Sequence, residues 1–87
     1  MYTVQYTSRA IKDINKLPPE VRKRIFDAIH GIKEEPYSHV KKLKTSPDSP
    51  IYSLRVGEYR VLLNITRSQL IIFVIGAGNQ STIYRKL

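Results

Sequence analysis

Gly57 and Glu58 separate two runs of alternating character. Before them, Tyr52, Leu54 and Val56 alternate with Ser53 and Arg55. After them, Tyr59, Val61 and Leu63 alternate with Arg60, Leu62 and Asn64. A period of two marks half-buried strands. A two-residue interruption with Gly first suits a type II′ turn between antiparallel neighbours. This short turn sets the pairing: Val56 faces Tyr59, and Arg55 faces Arg60. Both arginines then share one face of the sheet. A slip of one residue would send every side chain to the opposite face.

The rest of the chain must fit around this hairpin. Tyr2, Val4 and Tyr6 alternate with Thr3 and Gln5, which reads as a first strand. Thr7 or Ser8 can cap a following helix. There Ala10, Ile11, Ile14 and Leu17 form an apolar face, with Arg9, Lys12 and Lys16 as a basic stripe beside it. Pro18-Pro19 ends that helix, and Pro19 suits the first turn of the next. Val21, Ile25, Ala28, Ile29 and Ile32 form the second apolar stripe, which stops before Pro36. So short a junction implies an antiparallel helical hairpin. Ser46-Pro47-Asp48-Ser49-Pro50 is the clearest loop.

Beyond the hairpin, Thr66-Arg67-Ser68 makes a turn. Leu70–Ile75 is an unbroken apolar run, expected as a central strand covered on both faces. Gly76–Ser81 reads as a loop, and Thr82-Ile83-Tyr84 as a short last strand. The expected fold is α+β: an N-terminal strand and a helical hairpin, then a mostly antiparallel four- to five-stranded sheet with the helices on one face. No repeat, linker or low-complexity segment interrupts it, so residues 1–87 read as a single domain.

Composition narrows the function. Fifteen Lys+Arg against seven Asp+Glu give a net charge of +8 on 87 residues. Such a field attracts polyanions, and the attraction weakens steeply with salt. With no cysteine, disulfides, thiolate metal sites and cysteine nucleophiles are excluded. No apolar run approaches the ~18 residues of a membrane span. The alternating Met1–Tyr6 is unlike the apolar block of a signal peptide. The expected location is the cytoplasm.

The chemistry concentrates on the arginine pair. Like charges placed opposite each other destabilise a sheet. An anion held between Arg55 and Arg60 reverses that repulsion, and guanidinium forks match phosphate geometry. The bland alternative is that both splay into solvent, or that Glu58 or Asp48 neutralises one. Tyr84, followed by Arg85 and Lys86, can stack on a base or exchange a proton; equally it seals a sheet edge. In His39-Val40-Lys41-Lys42-Leu43-Lys44, the lysines Lys41, Lys42 and Lys44 can track a phosphate backbone or form a solvated loop. His30 and His39 lack partners at metal-ligand spacing. Gly76-Ala77-Gly78 lacks the pattern of a phosphate loop, and no Ser-His-acid set is legible.

These residues resemble a known family. Leu43-Lys44 followed by Ile51–Leu62 is similar to the central hairpin of RelE-type toxins of the RelE/ParE superfamily. The strand ending Val74-Ile75-Gly76, the closing Tyr84-Arg85 and the Leu17-Pro18 junction agree with it. The resemblance implies a metal-independent endoribonuclease without a cofactor that cuts messenger RNA on the ribosome and so inhibits translation. A 2′-hydroxyl attacks the adjacent phosphate, leaving a cyclic phosphate and a free 5′-hydroxyl. By position, Arg55 orients or activates the 2′-hydroxyl region, Arg60 clamps the scissile phosphate, and Tyr84 stacks on a base or assists proton transfer. Lys41, Lys42, Lys44, Arg85 and Lys86 are the expected RNA contacts. The resemblance also implies an adjacently encoded antitoxin, expected to be acidic.

Two departures stand out. Ser53 replaces a second strand lysine. The segment Gly78-Asn79-Gln80-Ser81 lacks the usual basic residue, a loss worth about 10²–10³ in rate when a preorganised charge is removed. Two other readings stay open: a non-catalytic ParE-like gyrase inhibitor, and a basic RNA- or ribosome-binding module.

Overall fold

The computed structural model describes residues 1–43 and 50–83. Five strands form one mixed sheet: β1 (Thr3–Tyr6), β2 (Lys41–Lys42), β3 (Tyr52–Val56), β4 (Tyr59–Thr66) and β5 (Ile71–Asn79). Their order across the sheet is β1-β5-β4-β3-β2. Only β1 and β5 are parallel; the other pairs are antiparallel. Two helices, α1 (Ser8–Asn15) and α2 (Pro19–Gly31), lie between β1 and β2 in sequence.

The hairpin forms as its turn dictates. Val56 pairs with Tyr59, Arg55 with Arg60 and Leu54 with Val61. Gly57 has φ +61° while Glu58 keeps a negative φ, the signs a type II′ turn requires. Glycine is needed there for its backbone freedom, and Arg24 would have to shift for any side chain. Any side chain is strained at that φ, and a Cβ would stand 2.8 Å from Nη2 of Arg24, which reaches over from α2.

Helix α1 starts where Thr7 caps it, its hydroxyl accepting from the Ala10 N–H at 3.1 Å. Pro19 opens α2 at its first turn, where a missing N–H costs nothing. Helix α1 lies against β5 and α2 against β3. Ala10, Ile14, Val21, Ile25 and Ile29 are buried against Leu54, Val61, Leu63, Ile72 and Val74. Each such aliphatic side chain contributes about 1.5–3 kcal/mol on burial. At the far end of β3, Tyr37 stands edge-on to Tyr52 at 5.5 Å, with the Arg67 guanidinium 4.8 Å from its ring centroid. This pins the chain just before β2, and burial raises the Tyr37 phenol above its usual pKa.

Several expectations need correction. Ile11 is 40% exposed, and Asp13 is buried in the turn between Ala10 and Ile14. The helix is rotated because Asp13 Oδ2 accepts the Ala77 N–H at 3.2 Å, a bond that a buried backbone donor must find somewhere. Strand β5 is not covered on both faces: Ile72 and Val74 are buried, whereas Ile71, Phe73 and Ile75 are half-exposed. The glycine-rich segment expected as a loop is strand as far as Asn79, because it pairs with β4. The register shifts there: Leu62 faces Gly76 while Leu63 faces Val74. Ile75 is therefore the extra residue of a bulge. Lys41 and Lys42 form an edge strand rather than a loop. Thr82 and Ile83 sit in a turn, not a strand. The Ser46–Pro50 loop lies outside the described residues except for Pro50, whose carbonyl accepts from Asn64 Nδ2 at 3.1 Å.

The Thr7 cap offers a direct check. Thr7→Ala should cost about 1 kcal/mol by loss of the side-chain cap, measured by urea denaturation with an unchanged m-value.

Candidate functional site

The helices cover one face of the sheet and leave the other open only in part: Arg55 is exposed there, while Ser53 and Leu62 are buried. By alternation from the pairing, Ser53 and Arg55 of β3, Arg60 and Leu62 of β4, and Lys41 of β2 point to this second face. The paired positions Leu54 and Val61 point to the helices. Lys41 pairs with Ser53, whereas Lys42 pairs with Tyr52 and so points to the helix side.

Arg55 and Arg60 are direct cross-strand neighbours. Arg55 is exposed, and its Nε donates to the Gly57 carbonyl at 3.3 Å, tying its stem to the turn. Arg60 is half-buried, and its Nε is buried without an acceptor. On its other side Arg60 faces Gly78, so no side chain at that position of β5 crowds the guanidinium. Ser53, fully buried, leaves its Oγ unpartnered as well. Unsatisfied buried donors are costly. Two of the three such side-chain atoms among the described residues lie here, the third being the Tyr6 hydroxyl.

The turn after β5 closes one wall of the site. Gln80 N–H donates to the Glu58 carbonyl at 2.9 Å, joining this turn to the hairpin tip. Asn79 Oδ1 accepts from Ser81 N–H at 2.9 Å and from Ser81 Oγ at 2.8 Å. Between the turns lies an open cleft of about 410 Å³ lined by Arg55, Glu58, Asn79, Gln80 and Ser81. Beside it, Leu62 and Ile83 are buried apart from the helix-side core. Among the described residues no group of three or more His, Cys, Asp or Glu could hold a metal ion.

The predicted residues thus divide. Arg55 and Arg60 come together as expected, and Lys41 shares their face. Lys42 does not. Lys44, Tyr84, Arg85 and Lys86 lie outside the described residues. Sequence reasoning missed Arg24, whose guanidinium borders the hairpin turn, and weighed Glu58 only as a neutralising charge. The signal for Glu58 was its place beside Tyr59 in a turn that Arg55 flanks. What hid it was the length of β5, which alone brings Gln80 to the hairpin tip.

Known proteins share this fold. The sequence model of the family described as "ParE toxin of type II toxin-antitoxin system" matches residues 4–84. The chain belongs to the RelE/ParE toxin superfamily. It is thus a toxin of the type II toxin–antitoxin class. Toxin RelG of Mycobacterium tuberculosis is 29% identical over 86 residues, covering 98% of each chain. The mRNA interferase toxin RelE of Escherichia coli is 28% identical over 79 residues, covering 91% of this chain and 83% of its own. Among solved structures, the toxin–antitoxin complex RelBE2 of Mycobacterium tuberculosis contains a chain that superposes with a TM-score of 0.79 at 28% identity, covering 91% of this chain and 98% of that one. The intact E. coli RelBE complex gives 0.71 at 27% identity, covering 91% and 96%. No helix among the described residues is long and apolar enough to cross a membrane.

The arginine pair can be tested on this toxin without assuming its target. Arg60→Met keeps most of the apolar stem while removing the cross-strand repulsion and the unpaired Nε. The free protein should keep its melting temperature or gain a few tenths of a kcal/mol. Retention on heparin should fall. A marked loss of melting temperature would make Arg60 a structural residue.

Proposed function

We propose that this toxin is an mRNA interferase that binds RNA on the sheet face opposite the helices and cuts it on the ribosome. The observation that supports the reading best is the pairing of Arg55 with Arg60 on the face opposite the helices, with the exposed Arg55 lining a cleft. In this reading the 2′-hydroxyl of the substrate attacks the adjacent phosphate, and no metal takes part. Arg60 clamps the scissile phosphate: it is half-buried beside Arg55 and faces Gly78 on its other side. Arg55 neutralises the charge that grows on the phosphoryl oxygens, the kind of contact that acts on rate rather than on affinity. Lys41 extends the basic surface towards the sheet edge. Tyr84, Arg85 and Lys86 keep their proposed roles at the end of the chain.

The names of the relatives point the same way, since one is a RelE described as an mRNA interferase. Several structural neighbours are toxins bound to their antitoxins. A small antitoxin is therefore the proposed partner, and the +8 charge favours an acidic segment in it. The ribosome is the proposed site of action, and the cytoplasm the proposed location.

A second reading draws on the family description, which carries the ParE name, and on the absence of a cation at Asn79, Gln80 and Ser81. There the toxin binds DNA gyrase and cuts nothing. A third is a basic module that binds RNA or ribosomes without toxicity. Purified toxin added to a translation mixture and, separately, to a supercoiling assay distinguishes them. Cleavage within codons at the ribosomal A site supports the first reading, blocked supercoiling the second, and binding with neither effect the third.

The electrostatic part of the proposal predicts a steep salt dependence. Affinity for ribosomes or RNA should fall log-linearly with salt, with a slope of about −0.7 for each phosphate neutralised on a single strand. Arg60→Ala should make that slope shallower, whereas Arg55→Ala should lower the cleavage rate more than the affinity. An affinity that stays flat from low to physiological salt rejects the phosphate contacts.

A further inference from the structure

Of the residues lining the cleft, Glu58 is the one that does not suit a phosphate site. A carboxylate beside an RNA backbone repels it. No ion pair offsets that repulsion among the described residues, and Arg55 Nε is turned to the Gly57 carbonyl. The fold does not need the carboxylate either. What joins the two turns is the backbone carbonyl of Glu58, which accepts from Gln80 N–H at 2.9 Å, and any residue at that position has a carbonyl.

The cleft does need a proton acceptor if a hydroxyl is to be activated in it. Arginine does not give up its proton near neutral pH, and the amides of Asn79 and Gln80 and the Ser81 hydroxyl are poor bases. Neither His30 nor His39 lines the cleft. Among the described residues that line the cleft, Glu58 brings the only carboxylate, beside a cation able to stabilise the phosphoryl oxygens.

We propose that Glu58 is the general base of this toxin, taking the proton of the attacking 2′-hydroxyl. The assignment rests on the ribonuclease reading above. As the O2′–P bond forms, the 2′-hydroxyl proton passes to a Glu58 carboxylate oxygen. The P–O5′ bond breaks, and the leaving 5′-oxygen takes a proton from water. The hydroxide so formed removes the proton from Glu58, so the carboxylate is regenerated and no water is consumed. The products are a 2′,3′-cyclic phosphate and a 5′-hydroxyl.

The test is single-turnover cleavage of mRNA in programmed ribosomes. Glu58→Gln retains shape and the backbone bond but cannot act as a base. Its rate at saturating toxin should fall by about 10²–10⁴-fold, the usual contribution of a positioned base. Its half-saturating concentration should hold or fall, because a negative charge has been removed from an anion site. Glu58→Asp should recover part of the rate, and both variants should melt at the parent's temperature. A Glu58→Gln variant that cuts as fast as the parent overturns the assignment. So does one that slows only together with weaker binding and a lower melting temperature, which marks a structural role. A parent that cuts nothing rejects the ribonuclease reading itself, and the role of Glu58 falls with it.

Discussion

The pairing of β3 with β4 is the constraint on which the rest of the molecule depends. In the observed register Leu54 and Val61 face the helices while Arg55 and Arg60 face solvent. One residue of slip would exchange them, placing two guanidinium groups under α2 and the aliphatic residues in water. Burying even one unpaired charge costs several kcal/mol, so the alternative register is closed. The choice is enforced locally by a two-residue turn and globally by the helix-side core. Both point to the same answer, as foldable sequences require. The site therefore comes with the fold: whatever stabilises the hairpin also sets the arginines side by side.

The second determinant lies on β5. The bulge at Ile75 shifts the register so that Val74 and Ala77 both meet the core across an odd spacing. It also leaves backbone groups beneath α1 in need of a partner, and the carboxylate of Asp13 supplies one to Ala77. A charged residue thus occupies a core position of the short helix α1, and Ile11 is displaced to the surface. Beyond the bulge the strand continues past Arg60, contributing Gly78 as its cross-strand partner. The turn that follows then reaches the hairpin tip through Gln80 and Glu58. Core and cleft are linked through one strand.

What was legible in the sequence follows from how local each feature is. The β3–β4 hairpin, the Thr7 cap and the Pro19 start depend on neighbours within a few positions, and each was readable. The arginine pair was readable for the same reason. Gly76-Ala77-Gly78-Asn79 has the composition of a loop, and only pairing with β4 makes it strand. The two-residue strand β2 has no periodicity to detect, and its lysines read equally well as loop. Asp13 followed the apolar pattern of no helix, because its partner is the backbone of Ala77, 64 positions away. Glu58 belonged to a legible turn, but its chemical surroundings come from that same distant strand.

These features together describe a free protein that keeps its binding face under tension. Two arginines repel across the strands, Arg60 Nε and Ser53 Oγ lack partners, and the net charge is strongly positive. None of this favours the isolated molecule. An anionic partner offsets the repulsion: it neutralises the charge and gains the attraction of two guanidinium forks. Any such partner stabilises the folded toxin by mass action. The proposed RNA substrate and the proposed acidic antitoxin draw on the same electrostatic store, since the attraction depends on charge rather than sequence. Discrimination between them then rests on what charge alone does not provide, namely the shape of the cleft and the reactivity of the group at Glu58. A polypeptide has no 2′-hydroxyl to surrender. One field thus serves the proposed substrate and the proposed antitoxin alike.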